Sequence, residues 1–233
     1  MAEMVGHGET VADIGTDHGY VPMLLFKNGV SPKVIMSDIS DGSLAKAKET
    51  FEQCRLDIPE CDFRTGDGLD TIEIGEVDVI IIGGLGGHTI VDILDADIVK
   101  TRSFKRLILQ PRKHSGALRH YLYTHGFDIT DELLIREGKF ECEIIVSVPT
   151  NQTEREELYS SDDIRWKYPI LMAETNSELA ADRIGWKLGS IKEQIKNLKS
   201  SKEDKRDLIT LLEKDSEYLN GILSEINNSH NNH

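Results

Sequence analysis

The sequence predicts an α/β fold, in which a mostly parallel sheet is closed at one edge by an antiparallel hairpin and followed by a helical hairpin. Three observations lead there. Short β-branched apolar runs alternate with helical patterns across residues 10–125, a later segment alternates apolar and polar residues at period 2, and apolar residues recur every three or four positions in the last third. With 233 residues and 39% hydrophobic content, the chain is long enough for one α/β domain and something smaller. The division expected is 1–150 for the sheet-bearing domain and 151–233 for a helical, coiled-coil-like one.

Five runs read as parallel strands: residues 10–15 (TVADIG), 33–38 (KVIMSD), 61–67 (CDFRTGD), 77–84 (VDVIIIGG) and 106–111 (RLILQP). They are short and rich in β-branched residues, and most end on Gly or Asp. Helices come between them: 22–28, closed by Gly29; one capped by Asp41 and carrying Leu44, Ala47 and Phe51; 88–94; and 115–125, stopped by Gly126. Within residues 127–148 (FDITDELLIREGKFECEIIVSV), Phe140, Cys142, Ile144, Val146 and Val148 alternate without a break, as in an antiparallel strand with one core face. Residues 151–163 are polar and read as a linker with a short helix. Ile184, Leu188, Ile191, Ile195 and Leu198 then recur at spacings 4, 3, 4, 3, and Leu208, Leu212, Leu219, Ile222 and Ile226 mark a second stripe interrupted by Asp215. Two such helices pack as an antiparallel hairpin, turning at residues 200–202, with Trp166, Trp186 and Tyr218 as docking aromatics. The tail, 227–233 (NNSHNNH), is low in complexity and expected to be disordered.

Cys54, Cys61 and Cys142 are odd in number and show no metal-ligand spacing, which points to reduced thiols in a cytoplasmic protein without a metal site. The first residues hold no basic segment followed by an apolar one. No run approaches the roughly 18 apolar residues that span a bilayer, so no membrane partner is expected. Net charge is −14, which opposes nucleic-acid binding unless positive charge is locally concentrated. Residues 100–120 concentrate it: seven Lys or Arg, two His and no acidic residue. A solvated helix face beside a strand explains such an island as readily as a polyanion site does.

Ligands of doubly wound sheets bind beyond the carboxyl ends of the strands, and all five ends here carry polar or glycine-rich chemistry. Asp13, Gly15, Asp17, His18, Gly19 and Tyr20 belong to the first; Asp38 and Ile39 to the second; Gly66, Asp67 and Gly68 to the third; Gly83, Gly84, Leu85, Gly86 and Gly87 to the fourth; Arg112 and Lys113 to the fifth. Gly15 and Gly19 serve either a tight strand-to-helix turn or a ligand-binding one. Asp38, 23 residues beyond Gly15, suits both hydroxyls of an adenosine ribose, as in NAD and S-adenosylmethionine sites, or else a helix N-cap. The joint pattern favours S-adenosyl-L-methionine. The turn reads G-T-D-H-G rather than G-x-G-x-x-G, and Asp17 stands where a pyrophosphate needs bare backbone. Asp13 and Asp17 suit the ammonium and sulfonium instead, and Asp67 the adenine amino group.

The strings VADIGTDHGYVP, SDIS, GDGLDTIEIGEVDVIIIGGLGG and LILQP, with LRHYLYTHGFDITDELLIREGKFECEIIV, resemble the bacterial TrmK-type tRNA (adenine(22)-N1)-methyltransferases over residues 10–148. The resemblance implies a class I methyltransferase with a Rossmann-like sheet, S-adenosyl-L-methionine as cofactor, tRNA as partner, N1 of adenine 22 as acceptor, and a helical C-terminal region that clamps RNA. Three features depart from the family pattern. Leu85 replaces the usual Met of G-M-G-G, Arg112 stands where Asn usually follows LILQP, and nine residues precede the first strand where the family has an amphipathic helix.

Adenine N1 holds an in-plane lone pair, so its methylation demands in-line positioning at about 3 to 3.5 Å more than a general base. The methylated base is cationic, which makes Asp17 the catalytic candidate, with His18 and Tyr20 as alternatives and Tyr20 as a stacking surface. The plainer readings are a supporting histidine and a core-edge tyrosine. The cofactor set is Asp13, Gly15, Asp17, Gly19, Asp38, Ile39, Gly66, Asp67, Gly68, Gly83 and Gly84. Leu85, Gly86 and Gly87 would admit an extruded base, while Arg112, Lys113 and Arg119 hold substrate phosphates. Residues 151–233 carry 12 basic against 16 acidic residues, so RNA contact there needs one face, such as Lys187, Lys192, Lys196 and Lys199. A helical cap serving stability alone is the other reading. The chain is expected to be a monomer or weak dimer. Two further functions stay open: methylation of a small molecule or protein, with the helical hairpin dimerising, and a non-catalytic RNA-binding scaffold.

Overall fold

Parallel strands β1 (Val11–Ile14), β2 (Val34–Asp38), β3 (Phe63–Thr65), β4 (Val79–Leu85) and β5 (Arg106–Pro111) share one seven-stranded sheet with the antiparallel pair β6 (Phe127–Glu137) and β7 (Phe140–Pro149). The order across the sheet is β3-β2-β1-β4-β5-β7-β6, in a computed structural model that describes residues 1–57, 62–200 and 204–230. Strand order reverses between β1 and β4, which opens a crevice at their carboxyl ends. The third run of the sequence narrows to Phe63–Thr65, and Cys61 lies outside the described residues.

The parallel strands are apolar on both faces because both faces are covered. On one side Val11, Val34, Val79 and Ile81 meet Leu25 of α1 (Tyr20–Lys27), and Met36 meets Leu44, Ala47 and Phe51 of α2 (Asp41–Gln53). On the other lie α3 (Gly87–Asp95), a short α4 (Ile98–Thr101) that the sequence pattern did not reveal, and α5 (Ser115–Thr124). There Ala12, Ile14, Ile80, Ile82, Leu107 and Leu109 pack with Ile90, Leu94, Leu118 and Leu122. Each large aliphatic side chain buried this way contributes about 1.5–3 kcal/mol, and a slip of one residue would exchange the two faces. The core therefore sets which residues end each strand. Ser40, not Asp41, caps α2: its hydroxyl accepts the Ser43 N–H at 3.3 Å, while Asp41 sits in the first turn, where its charge suits the helix dipole.

β6 and β7 pair from Phe127 opposite Pro149 to Glu137 opposite Phe140, with a bulge between Ile129 and Asp131. The alternating face predicted for β7 is realised only in its middle. Ile144 and Val146 are buried together, Ile145 is buried on the opposite face, and Phe140 is exposed at the hairpin tip. Helices α6 (Ile164–Lys167), α7 (Ile170–Thr175), α8 (Ser177–Lys199) and α9 (Arg206–His230) follow. Ile184, Ile191, Leu212, Leu219, Ile222 and Ile226 close the seam between α8 and α9, and Leu134 of β6 joins that cluster, which docks the helices on the hairpin. Residues 151–163 form no helix, contrary to expectation; α6 starts at Ile164, with Asp163 as its cap. Trp186 and Leu208 are exposed rather than packed, whereas Trp166 is buried against Tyr123 and Tyr159 and the Tyr218 hydroxyl donates to the Tyr168 carbonyl at 2.9 Å. The tail expected to be disordered from residue 227 begins instead as helix, since α9 runs through His230. Residues 231–233, and 201–202 of the expected turn, lie outside the described residues.

Arg119 corrects a further expectation. It is 1% exposed, donates to Glu132 and Glu143 at 2.5 Å each and to the Trp166 carbonyl at 3.0 Å, and so presents no charge to a phosphate. Arg183 of α8 donates to the same Glu143 at 2.5 Å. Two guanidiniums and two carboxylates thereby tie α5, β6, β7 and α8 together. Arg119 is a joint between elements, not a substrate contact.

Candidate active site

The turn between β1 and α1 holds three residues in the left-handed region: Gly15 (φ 72°), Asp17 (φ 45°) and Gly19 (φ 65°). Asp17 carries a Cβ, and this conformation costs a non-glycine residue about 1–3 kcal/mol, a strain that concentrates at ligand sites. Its neighbours hold it there. Asp38 Oδ2 accepts the Asp17 N–H at 3.3 Å, and Lys46 of α2 donates to Asp17 Oδ1 at 2.9 Å. The Lys46 hydrogen bond keeps the Asp17 carboxyl below the ordinary carboxylate range, so it is ionised at neutral pH. Asp13 is buried behind the turn and accepts the Thr16 hydroxyl at 2.7 Å. Burial pushes its carboxyl up to about 7, against the Thr16 hydrogen bond and with the Asp38 charge adding to the rise.

A cleft of about 510 Å³ lies over the ends of β1 to β4. Gly15, Asp17, Asp38, Ile39, Gly66, Asp67, Gly68, Gly83 and Gly84 line it, together with Leu85, Arg112 and three residues the sequence did not single out, Ile14, Thr89 and Ile93. Asp13 and Gly19 do not. Gly19 is buried where a Cβ would meet that of Ala47 at 3.0 Å, so its glycine serves the contact between α1 and α2. Asp38 Oδ1 accepts the Ser40 N–H at 2.9 Å, which with the Asp17 N–H fixes the carboxylate while leaving lone pairs for a ligand.

β4 ends in a register shift between Gly83 and Leu85, with Gly84 at φ 78°. Gln110 of β5 accepts the Gly84 N–H at 2.8 Å and so holds this bulge; a polar residue inside an otherwise apolar strand was the signal available for it. Gly87 is buried, donates its N–H to the Lys113 carbonyl at 2.7 Å, and a Cβ there would stand 2.3 Å from the His114 carbonyl oxygen. It welds the start of α3 to the approach to α5 and does not line the cleft. Gly86 lies against the Lys113 side chain, also outside the cleft. Of Leu85, Gly86 and Gly87, expected to admit a base, Leu85 lines the cleft, beside Gly84 of the expected cofactor set.

Tyr20 is 59% exposed and stacks on His18, with ring centroids 5.3 Å apart and planes inclined by 6°. The pair stands beside Asp17, whose Oδ2 lies 3.7 Å from His18 Nε2, so Tyr20 is no core-edge residue. The basic island disperses on folding. Lys100 donates to the Leu69 carbonyl, Arg102 to the His125 and Thr150 carbonyls, Lys105 pairs with Asp78 and Arg106 with Glu9. With Arg119 buried, Arg112 and Lys113 are left exposed, and among the described residues neither side chain has a hydrogen-bond or ion-pair partner.

Carboxylates and apolar side chains dominate the cleft wall, and Arg112 is its one cation among the described residues. A ligand with a positive centre and an adenosine moiety meets acceptors there, whereas a pyrophosphate at the β1 turn would meet Asp17.

Comparison with known proteins gives the same direction. A family model described as a methyltransferase domain matches residues 1–145. The Bacillus subtilis tRNA (adenine(22)-N1)-methyltransferase is 37% identical over 147 residues, which are 63% of this chain and 61% of that protein. The chain thus spans less than two thirds of that relative's length in sequence. A Mycoplasma pneumoniae protein described as a candidate tRNA methyltransferase is 30% identical over 72% of this chain and 75% of its own. The crystal structure of the B. subtilis M1A22 tRNA methyltransferase TrmK superposes over 95% of both chains, with a TM-score of 0.77 and 28% identity. On this kinship in sequence and fold, the chain belongs to the methyltransferase-domain family, and within it is similar to the bacterial TrmK-type tRNA (adenine(22)-N1)-methyltransferases.

Proposed function

We propose that this chain methylates N1 of adenine 22 in bacterial tRNA, in the cytoplasm, with S-adenosyl-L-methionine as methyl donor. One observation carries the reading: a cleft rich in carboxylates, at the switch point of the sheet, opens beside an exposed aromatic pair and two cations, Arg112 and Lys113, that have no hydrogen-bond or ion-pair partner among the described residues. The residues fit the cofactor. Asp38 has acceptor capacity for ribose hydroxyls, Asp67 is exposed in the cleft for the adenine amino group, Ile39, Leu85 and Ile93 supply apolar wall, and Asp17 supplies negative charge. When bound, the cofactor supplies an electrophilic methyl group on a sulfonium.

The chain's own task is then placement. N1 lies on the Watson–Crick edge, so the adenine must leave its stack before it is methylated. Tyr20 on His18 offers a plane for the extruded base, a contact worth about 1–3 kcal/mol, and Arg112 and Lys113 offer charge to the flanking phosphates. Asp17, ionised and next to that plane, stabilises the positive charge that grows on the base as N1 is alkylated. No general base is required to create the nucleophile. Residues 151–233 act in this reading as a second, RNA-holding unit, with the chain working as a monomer or weak dimer.

The test is methyl transfer to unmodified tRNA with mapping of the modified position. Wild type should modify adenine 22; Asp17→Ala should lower kcat at least tenfold with cofactor affinity changed less, and Arg112→Ala should raise KM for tRNA. Methylation confined to small molecules or proteins would overturn the reading. Unchanged turnover in Asp17→Ala would overturn the role given to that residue.

A further inference from the structure

A second cleft, of about 360 Å³, lies where the starts of α3 and α5 face α6 and α8. It is separate from the cofactor cleft, and its lining differs in charge. His88 and His114 are part of its wall, with ring centroids 4.5 Å apart. Lys167, Arg183 and Lys187 bring positive charge to it from the C-terminal helices, and Asp162 is the one carboxylate that lines it among the described residues. Lys167 is held by donating to the Asp162 backbone carbonyl at 2.9 Å, and Arg183 is aimed by Glu143, whose charge Arg119 already shares. Lys187 has no hydrogen-bond or ion-pair partner among the described residues, although the Asp215 carboxylate of α9 acts on it and on Lys167 through space. His88 belongs to the first turn of α3 and His114 immediately precedes α5, so the positive ends of both helix dipoles lie at the same place.

This concentration stands out in a chain of net charge −14 whose C-terminal region is itself acidic. Of the four lysines singled out on α8, Lys187 lines this cleft, Lys192 belongs to a different groove, Lys196 lines neither, and Lys199 is paired with Glu213. The two clefts are neighbours: Arg112 lines the first, His114 lines the second, and Lys113 stands between them in the chain. The Lys113 side chain runs along Gly86, 3.4 Å from the position of a Cβ there, between Arg112 on one cleft and His114 on the other.

We propose that this second cleft binds the sugar-phosphate backbone of the RNA strand carrying the target adenine, continuing the track begun by Arg112 and Lys113. The inference rests on the tRNA reading above and extends it. Separated cations with a pair of flat imidazoles suit consecutive phosphodiesters and an unstacked base; they do not suit an acidic small molecule, which would need converging donors.

The experiment is the affinity of the full chain for unmodified bulk tRNA at several salt concentrations, with cofactor binding and methyl transfer measured on the same preparations. The variants are Lys167→Glu with Lys187→Glu, the milder Lys187→Met in case the double variant does not fold, and a charge-matched control on the helices of the opposite sheet face, Lys27→Glu with Lys48→Glu. The double variant should lose tenfold or more in tRNA affinity and show a shallower salt dependence, with cofactor affinity and kcat retained and KM for tRNA raised. Lys187→Met should lose several-fold, and His88→Ala with His114→Ala should weaken binding with little change in salt slope. Wild-type affinity in the cleft variants, or an equal loss in the control, would overturn the assignment. tRNA bound through the cleft but not methylated would sink the activity reading alone, and methylation with normal KM in the double variant would sink the cleft alone.

Discussion

The side-chain carbonyl of Gln110 accepts the backbone N–H of Gly84 at 2.8 Å, so a residue of β5 fixes the left-handed kink at the end of β4. Gly84 lines the cleft proposed for the cofactor and adjoins Leu85, proposed to face the target base, and an orphaned N–H there costs about 1–3 kcal/mol. Gln110→Leu should therefore lower kcat for tRNA methylation at least tenfold while shifting the melting temperature by only a few degrees. Gln110→Glu keeps an acceptor and should retain more activity than the leucine variant. Equal activities in wild type and Gln110→Leu would show that the bulge holds without this bond.

Asp13 gives the site a pH dependence whose sign follows from its burial. An unfolded aspartate titrates near about 3.9, whereas burial lifts Asp13 to about 7 in the folded chain. The proton is thus favoured by folding: its contribution is fully present below about pH 4 and is lost as pH rises through 7. Asp13→Asn keeps an acceptor for the Thr16 hydroxyl and removes the titration. Its stability should gain on wild type between about pH 5 and 8, by on the order of a few kcal/mol at the upper end, read from urea midpoints. Parallel pH profiles for the two proteins would refute this. A cationic ligand seated above the turn favours the carboxylate, so cofactor binding near neutral pH should release a proton in wild type and less in Asp13→Asn, measured by calorimetry in buffers of different ionisation heat.

The Arg119 cluster predicts a large loss from a single change. Removing one partner of a buried ion pair costs about 3–5 kcal/mol, because Glu132 and Glu143 would keep charges with too few donors. Arg119→Leu should lower stability by about that amount in chemical denaturation. Arg119→Leu with Glu132→Leu, which leaves Glu143 paired to Arg183, should recover part of it. A double variant no better than the single one would place the loss in packing.

How far these elements were legible in the sequence depends on the range of the signal. Strand runs and helix stops are local: Gly126, at φ 72°, ends α5, and its missing Cβ leaves room for the Gln152 carbonyl oxygen that would otherwise lie 1.7 Å away. The glycines and carboxylates at strand ends were legible for the same reason, since β-propensity locates the ends and the chemistry follows. What misled was charge without topology. Residues 100–120 read as one basic island, yet Lys105 and Arg106 are taken up by Asp78 and Glu9, and Arg119 is buried because two glutamates of the β6–β7 hairpin reach it. Lys46 escaped notice likewise: only the packing of α2 beside the first turn brings it to Asp17. The alternation in β7 implied one core face, but that strand is sandwiched in its middle and bare at its tip.

Two glycines should respond to the same substitution with opposite signs. A Cβ at Gly87 would stand 2.3 Å from the His114 carbonyl oxygen and 3.0 Å from that of Lys113, both backbone atoms that no rotamer change can move. The Gly87 N–H also closes this joint at 2.7 Å, so α3 and α5 would have to part between the two clefts. Gly87→Ala should cost about 1–3 kcal/mol, as overpacking does, and should raise KM for tRNA as the rim shifts. Gly185, in the exposed run of α8, has nothing within 4 Å of a Cβ and no positive φ. Gly185→Ala should raise stability by about 0.4–1 kcal/mol by restricting the unfolded chain, with tRNA kinetics untouched. Thermal melts of the two variants beside wild type decide it: displacement of both in one direction would mean that Gly87 is kept for something other than the contact between the two helix starts.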